Sequence, residues 1–159
     1  MMKMFTKEER STFPYWFAHW CAFQMTALNL NVWRLKYLFH DAEKPWLKLV
    51  MPYSKLQRFH RIHNKHHVAW LEHKLEKDSS EKNTKRLLKK FDFYAVIIDW
   101  ECCHYTKLQC PLNAYDERTR LLNDNFEEKF PLITKCCYEE FSNKLLEVTK
   151  ELGIDHHTT

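Results

Sequence analysis

Apolar positions along this chain recur at helical spacing and are broken by short polar stretches. A first helix is predicted from near Pro14, a residue well tolerated in a first turn, with Ser11 or Thr12 as its cap. Its body, PYWFAHWCAFQMTALNL, is apolar on most sides and belongs in an interior. The stretch NVWRLKYLFHD reads as a second helix with Val32, Leu35, Leu38 and Phe39 inward, and Pro45 and Pro52 bracket an irregular segment. Ser54 and Gln57 form a capping-box pattern, predicting a helix that runs to about Lys77. Another is expected over Lys85 to Thr106, broken near Phe91–Asp92. Pro111 marks a break, and Leu112 to Phe126 reads as helical. Pro131 opens a last helix with Leu132, Cys136, Phe141, Leu145 and Val148 as core candidates.

The run YAVII also reads as a short buried strand, but its apolar character continues past Asp99 to Cys103 and no second strand pairs with it. Gly153 is the one glycine, whereas sheets need many tight turns. The expectation is therefore all-α: a single domain over 1–159, about five to seven helices, with 1–12 and 153–159 as loose ends.

A formal charge of +4 suits a small anionic substrate and is weaker than a dedicated duplex-DNA binder requires. The cysteines Cys21, Cys102, Cys103, Cys110, Cys136 and Cys137 form no CxxC pair and read as reduced thiols. No stretch reaches the ~20 apolar residues of a membrane span, and the first residues lack the apolar core of a signal peptide. A cytoplasmic protein is expected. Aromatics such as Trp16 and Trp46 leave an oligomer open.

Of ten histidines, five fall between His40 and His67. The order is His19, His40–Asp41, His60, His63, His66–His67, then Asp99. Imidazole nitrogens with carboxylate oxygens suit a divalent transition metal such as Mn, Fe, Zn, Co or Ni. Asp99 interrupts an apolar helix, and a buried carboxylate is costly unless paired with a base or bound to a cation. His63 and His73 read as ordinary surface histidines, and His156 and His157 as part of the loose end.

The order H…HD…H…D resembles the HD-domain superfamily of metal-dependent phosphohydrolases, which are all-α. The strings HDAEK, HRIHNKHH and IIDWE resemble more closely an uncharacterised bacterial and phage HD-like family, with HD-x-S-K, H-x-x-x-N-x-H-H and hydrophobic-C-D-W strings. The resemblance spans roughly His19 to Asn125; Glu43 stands where serine is common and Val68 where proline is. It implies one or two metal ions on His19, His40, Asp41 and Asp99, with His60, His66 and His67 as further ligands. It also implies water activated at Asp41, with Lys44 aiding catalysis, and a phosphate ester, best a nucleotide, contacted by Lys44, Asn64 and Arg61. The organism implied is a bacterium or a phage-infected host. Two other outcomes follow from the same ligands: a di-iron oxygenase, or a metal- or nucleotide-binding sensor or phage accessory protein without turnover.

Overall fold

The computed structural model describes residues 4–108 and 112–154. Among them are nine α-helices and no strand pair beyond one bridge, Phe5 with Lys107. Cys110, Pro111, His156 and His157 lie outside the described residues. No helix among the described residues is long and apolar enough to cross a membrane. The cysteines described, Cys21, Cys102, Cys103, Cys136 and Cys137, are free thiols.

The helices are α1 (Phe13–Asn29), α2 (Lys44–Lys48), α3 (Tyr53–His63), α4 (Val68–Leu75) and α5 (Glu81–Lys90), followed by α6 (Phe93–Thr106), α7 (Ala114–Asn123), α8 (Phe126–Lys129) and α9 (Pro131–Glu151). The number exceeds the expected five to seven because backbone breaks divide the longer runs. Proline at 45 opens a helix of five residues, and Pro52, in extended conformation, precedes the next. Asn64 and His67 are also extended, cutting the histidine-rich run into α3 and α4. Asn125 adopts a left-handed conformation between α7 and α8. The capping box is not formed: α3 starts at Tyr53 with no side-chain cap, and Gln57 donates to the Tyr53 hydroxyl instead. Elsewhere side-chain caps that the sequence reading did not name do form, Ser80, Asp92 and Asn113 each accepting a first-turn N–H.

The helix predicted over residues 31–41 is a single 3-10 turn, Leu35–Phe39. That tighter winding turns Tyr37 inward and leaves Leu35 69% and Phe39 72% exposed, so the expected apolar stripe is not core. The amino end is anchored rather than loose from Phe5 on. Phe5 is buried, and its N–H and C=O bond the backbone of Thr106 and Leu108. Burying one aromatic ring offsets the ordering of a short segment, which polarity alone does not reveal.

Helix α1 lies along α6, and α6 in turn packs on α9 and α7. The larger apolar core joins α4, α5, α6, α8 and α9 around Leu71, Ile97, Ile133, Phe141, Leu145 and Val148. A smaller cluster, Ala22, Phe23, Ala27, Tyr37, Ala95, Ile98 and Cys102, fills the seam between α1 and α6. In the last helix Phe141, Leu145 and Val148 are core as predicted, while Ile133 and Cys137 are buried in place of their neighbours Leu132 and Cys136. The seam cluster ends at a group of polar side chains.

Candidate metal centre

Four stretches of chain bring their polar groups to the end of the α1–α6 seam. Helix α1 supplies His19 and α6 supplies Asp99, with His19 Nε2 3.0 Å from Asp99 Oδ1. The turn after Phe39 supplies His40 and Asp41. Asp41 takes a left-handed backbone, φ 59°, which costs on the order of 1 kcal/mol for a non-glycine residue. That conformation carries its carboxylate inward: Asp41 is 7% exposed. Helix α3 supplies His60, and the break after it supplies His66 and His67. An unbroken helix would carry His66 away from His60; extended backbone at Asn64 and His67 brings both onto the same side.

Asp41 is the hub. Its Oδ1 lies 3.1 Å from His60 Nε2, 3.7 Å from His40 Nε2 and 3.8 Å from His66 Nε2. Its Oδ2 lies 3.6 Å from His19 Nε2 and accepts from Lys44 Nζ. His40 Nε2 is also 3.7 Å from Asp99 Oδ1. Phe23 stacks flat on the His40 ring, centroids 3.6 Å apart, and so fixes its plane.

A further layer orients these groups. His60 Nδ1 faces Glu43 Oε1 at 2.5 Å, and Asn64 Nδ2 donates to the same oxygen at 2.8 Å. His19 Nδ1 meets Cys102 Sγ at 3.7 Å, and that thiol donates to Asp99 O. With Nδ1 so engaged, His19 Nε2 is the nitrogen turned to the carboxylates, the usual arrangement behind a metal-binding imidazole.

Charge follows from these contacts. Burial opposes ionisation of Asp41, but His40, Lys44 and His60 together hold it well below the ordinary carboxylate range. Burial likewise opposes charge on Asp99, and the imidazoles of His19 and His40 beside it more than offset that. His19 and His60 are raised: burial works against their protonation, and their carboxylate partners outweigh it. His66 is pushed down to about 3 by burial and then by His40. His67 is also lowered, by burial, His66 and His60. His60 Nε2 and His67 Nε2 stand 2.7 Å apart, which fits a protonated His60 donating to a neutral His67.

Three buried atoms at the middle, His40 Nε2, Asp41 Oδ1 and His66 Nε2, have no hydrogen bond of acceptable geometry. His60 Nε2 lies 3.1 Å from Asp41 Oδ1, but the hydrogen-bond partner of that nitrogen is His67 Nε2 at 2.7 Å. Each unsatisfied buried group costs ~1–3 kcal/mol. Two ligand atoms on one divalent ion stand roughly 3.0–3.5 Å apart, from bonds of ~2.0–2.2 Å. The 3.0–3.8 Å separations here are of that order. Three sets of side chains offer ligand atoms mutually within 4.8 Å: His19, His40 and Asp41; His60, His66 and His67; and Asp41, Glu43 and His60. A fourth places Cys102 and Cys103 beside His19 and Asp99. The donors therefore fit a transition-metal ion, and Asp41 belongs to two of the groups.

All seven sequence-predicted ligands, His19, His40, Asp41, His60, His66, His67 and Asp99, gather at this one place. His63 stacks on Phe59 and bonds its carbonyl, and His73 pairs with Glu76 on the surface. The expected substrate contacts distribute differently. Lys44 is ion-paired with Asp41, Asn64 donates to Glu43 and to the His60 carbonyl, and Arg61 lines an open cavity. That cavity, about 840 Å³, reaches Asp99, His66 and His67. Arg10 in its wall, and Glu43 and Cys102 behind His60 and His19, are absent from the sequence reading of the site. The spacing of Cys102 three residues after Asp99, on one helix face, is the one signal that pointed to any of them.

No protein-family model, curated protein or solved structure matches the chain.

Proposed function

We propose that this protein is a metal-dependent phosphohydrolase of the HD type, acting on a nucleotide or other small phosphate ester. The observation that carries the reading is the trio of unsatisfied buried atoms, His40 Nε2, Asp41 Oδ1 and His66 Nε2, converging beside a cavity wide enough for a small molecule. An inert bundle would not bury His19, His40, Asp41, His60 and His66 together at this cost.

A divalent ion on these ligands supplies Lewis acidity, polarising a phosphoryl oxygen and acidifying water. The chain's own residues do the rest. His19, His40, Asp41 and Asp99 would hold one ion, and His60, His66 and His67 would offer ligand atoms to a second. Glu43 fixes the tautomer and plane of His60, and Cys102 those of His19. Lys44 balances the Asp41 charge and keeps its carboxylate turned toward the histidines. The cavity admits substrate past Arg61 and Trp100 to Asp99.

The test is elemental analysis followed by assay of phosphate monoesters and nucleotides with Mn, Fe, Zn, Co and Ni. The reading expects bound metal and phosphate release, both lost in Asp41→Asn. Bound metal with no turnover of any ester would instead leave a metal-binding protein. Iron with oxygen consumption would indicate the oxygenase chemistry that the same ligands permit.

A further inference from the structure

The metal ligands account for the carboxylate end of the cavity but not for a cation in its wall. Arg10 lies in the 3-10 turn Glu9–Ser11 just ahead of α1. That turn is held firmly. Glu9 accepts from the Thr6 N–H at 2.9 Å, Thr12 Oγ1 donates to Glu9 O at 2.6 Å, and Phe5 is tied to the end of α6. Arg10 is thus placed by the same two helices that carry His19 and Asp99.

Its guanidinium nitrogens Nε and Nη2 are shut off from water and make no hydrogen bond to any described residue. A guanidinium cannot shed its proton to escape that cost. Nε and Nη2 are also adjacent donors along one edge of the group, the pair that meets two oxygens of one oxyanion side-on. Of the other cations near the centre, Lys44 is engaged with Asp41, Lys107 with Cys103 Sγ, Arg120 with Glu117 and Lys129 with the Asp124 carbonyl, while Arg61 is exposed to water. Arg10 therefore stands in the cavity wall with two guanidinium nitrogens that have no partner among the described residues.

We propose that Arg10 is the anion-recognition residue of the cavity, binding a phosphate group of the ligand that enters it. This deepens the phosphohydrolase reading and rests on it for the identity of the ligand. Arg10 takes the recognition role that the sequence suggested for Lys44 and Asn64, whose polar groups are turned to Asp41, Glu43 and His60.

The experiment uses inorganic phosphate as the probe, on chelator-treated and Mn-loaded full chain, read by melting temperature and titration calorimetry. Variants are Arg10→Met, which keeps the stem, and Arg10→Lys, which keeps charge but not the fork. Expected are a phosphate-induced rise in wild-type melting, at least ~10-fold weaker phosphate binding in Arg10→Met, and an intermediate loss in Arg10→Lys. Without phosphate, Arg10→Met should melt no lower than wild type, and its metal content should be unchanged, a pattern a purely structural arginine does not give. Phosphate affinity equal to wild type in either variant overturns the proposal, as does a wild type that ignores phosphate in both metal states. If Arg10→Met melts below wild type, the Arg10→Lys affinity decides between the two. A wild type that binds phosphate through Arg10 yet takes up no metal sinks the phosphohydrolase reading and leaves the anion site standing.

Discussion

Helix α6 borders two interiors of opposite character. Along one side Phe93, Val96 and Ile97 enter the large core with Phe141 and Leu145, where the buried side chains are hydrocarbon and aromatic. Along the other, Ile98 and Cys102 close the α1 seam, and Asp99 meets His19 and His40 beyond it. The first interior is stabilised by removing apolar surface from water, and its parts are exchangeable if volume is kept. The second is costly to bury and worth keeping only for what it binds. Stability should therefore reside in the dry core and ion affinity in the polar one, with little leakage between them.

The sharpest way to break this comparison is to remove a carboxylate. Asp99→Ala should lower metal affinity by more than ~100-fold while leaving chelator-treated protein as stable as wild type, or more so. Calorimetric metal titration beside denaturant unfolding checks both halves; a variant that unfolds with metal affinity intact would place Asp99 in the structural role. The mirror-image change is Phe141→Ala, at a side chain fully buried in the large core. It should cost about 3–5 kcal/mol in unfolding free energy with metal affinity within a factor of a few of wild type. Saturating metal should raise the wild-type melting temperature by roughly 8–16 °C at a thousandfold excess over Kd, and Asp41→Asn should abolish that rise.

Smaller changes sharpen the boundary. Glu43→Gln, which weakens the acceptor behind His60, should reduce metal affinity ~10–100-fold with little effect on folding. The smallest effect expected is a pH slope. In metal-free protein His66 is lowered to about 3, chiefly by burial and then by His40, so below its unfolded value of ~6.5 the unfolded state binds more protons. His66 thus leaves folding unpenalised above about pH 6.5, and stability erodes as pH falls from there toward about 3. His19 and His60, raised in the fold, have the opposite sign: they favour folding below ~6.5 and lose the effect as pH rises through their folded values. Asp41 and Asp99 lose their contribution only below ~3.8. Melting of chelator-treated His66→Gln should accordingly fall less steeply than wild type between about pH 6.5 and 4.5.

Much of this division was legible in the chain. The near-absence of glycine and the helical apolar runs predicted an all-α body, and Asp99 stood out because a carboxylate has no place in FYAVIIDWECC without a partner. The seven candidate ligands were readable as chemistry-bearing types in a familiar order. Their approach was not readable from periodicity, since it depends on an extended break at residues 64–67 and a left-handed Asp41. The supporting residues were hidden for a different reason. Glu43 and Arg10 are charged side chains that look solvated in sequence, and only packing shows that they face inward; Lys44, read as a substrate contact, turns to Asp41 instead. Phe39 and Leu35 failed in the other direction, apolar at helical spacing yet outside because the segment winds as a 3-10 turn.

The most direct measurement is anomalous X-ray scattering from crystals grown with Mn or Zn. The account predicts a peak at ~2.0–2.2 Å from His40 Nε2 and Asp41 Oδ1, with His66 Nε2 or Asp99 Oδ1 completing its ligands. A map with no peak there, and with His40 and His66 hydrogen-bonded directly to Asp41, would contradict it.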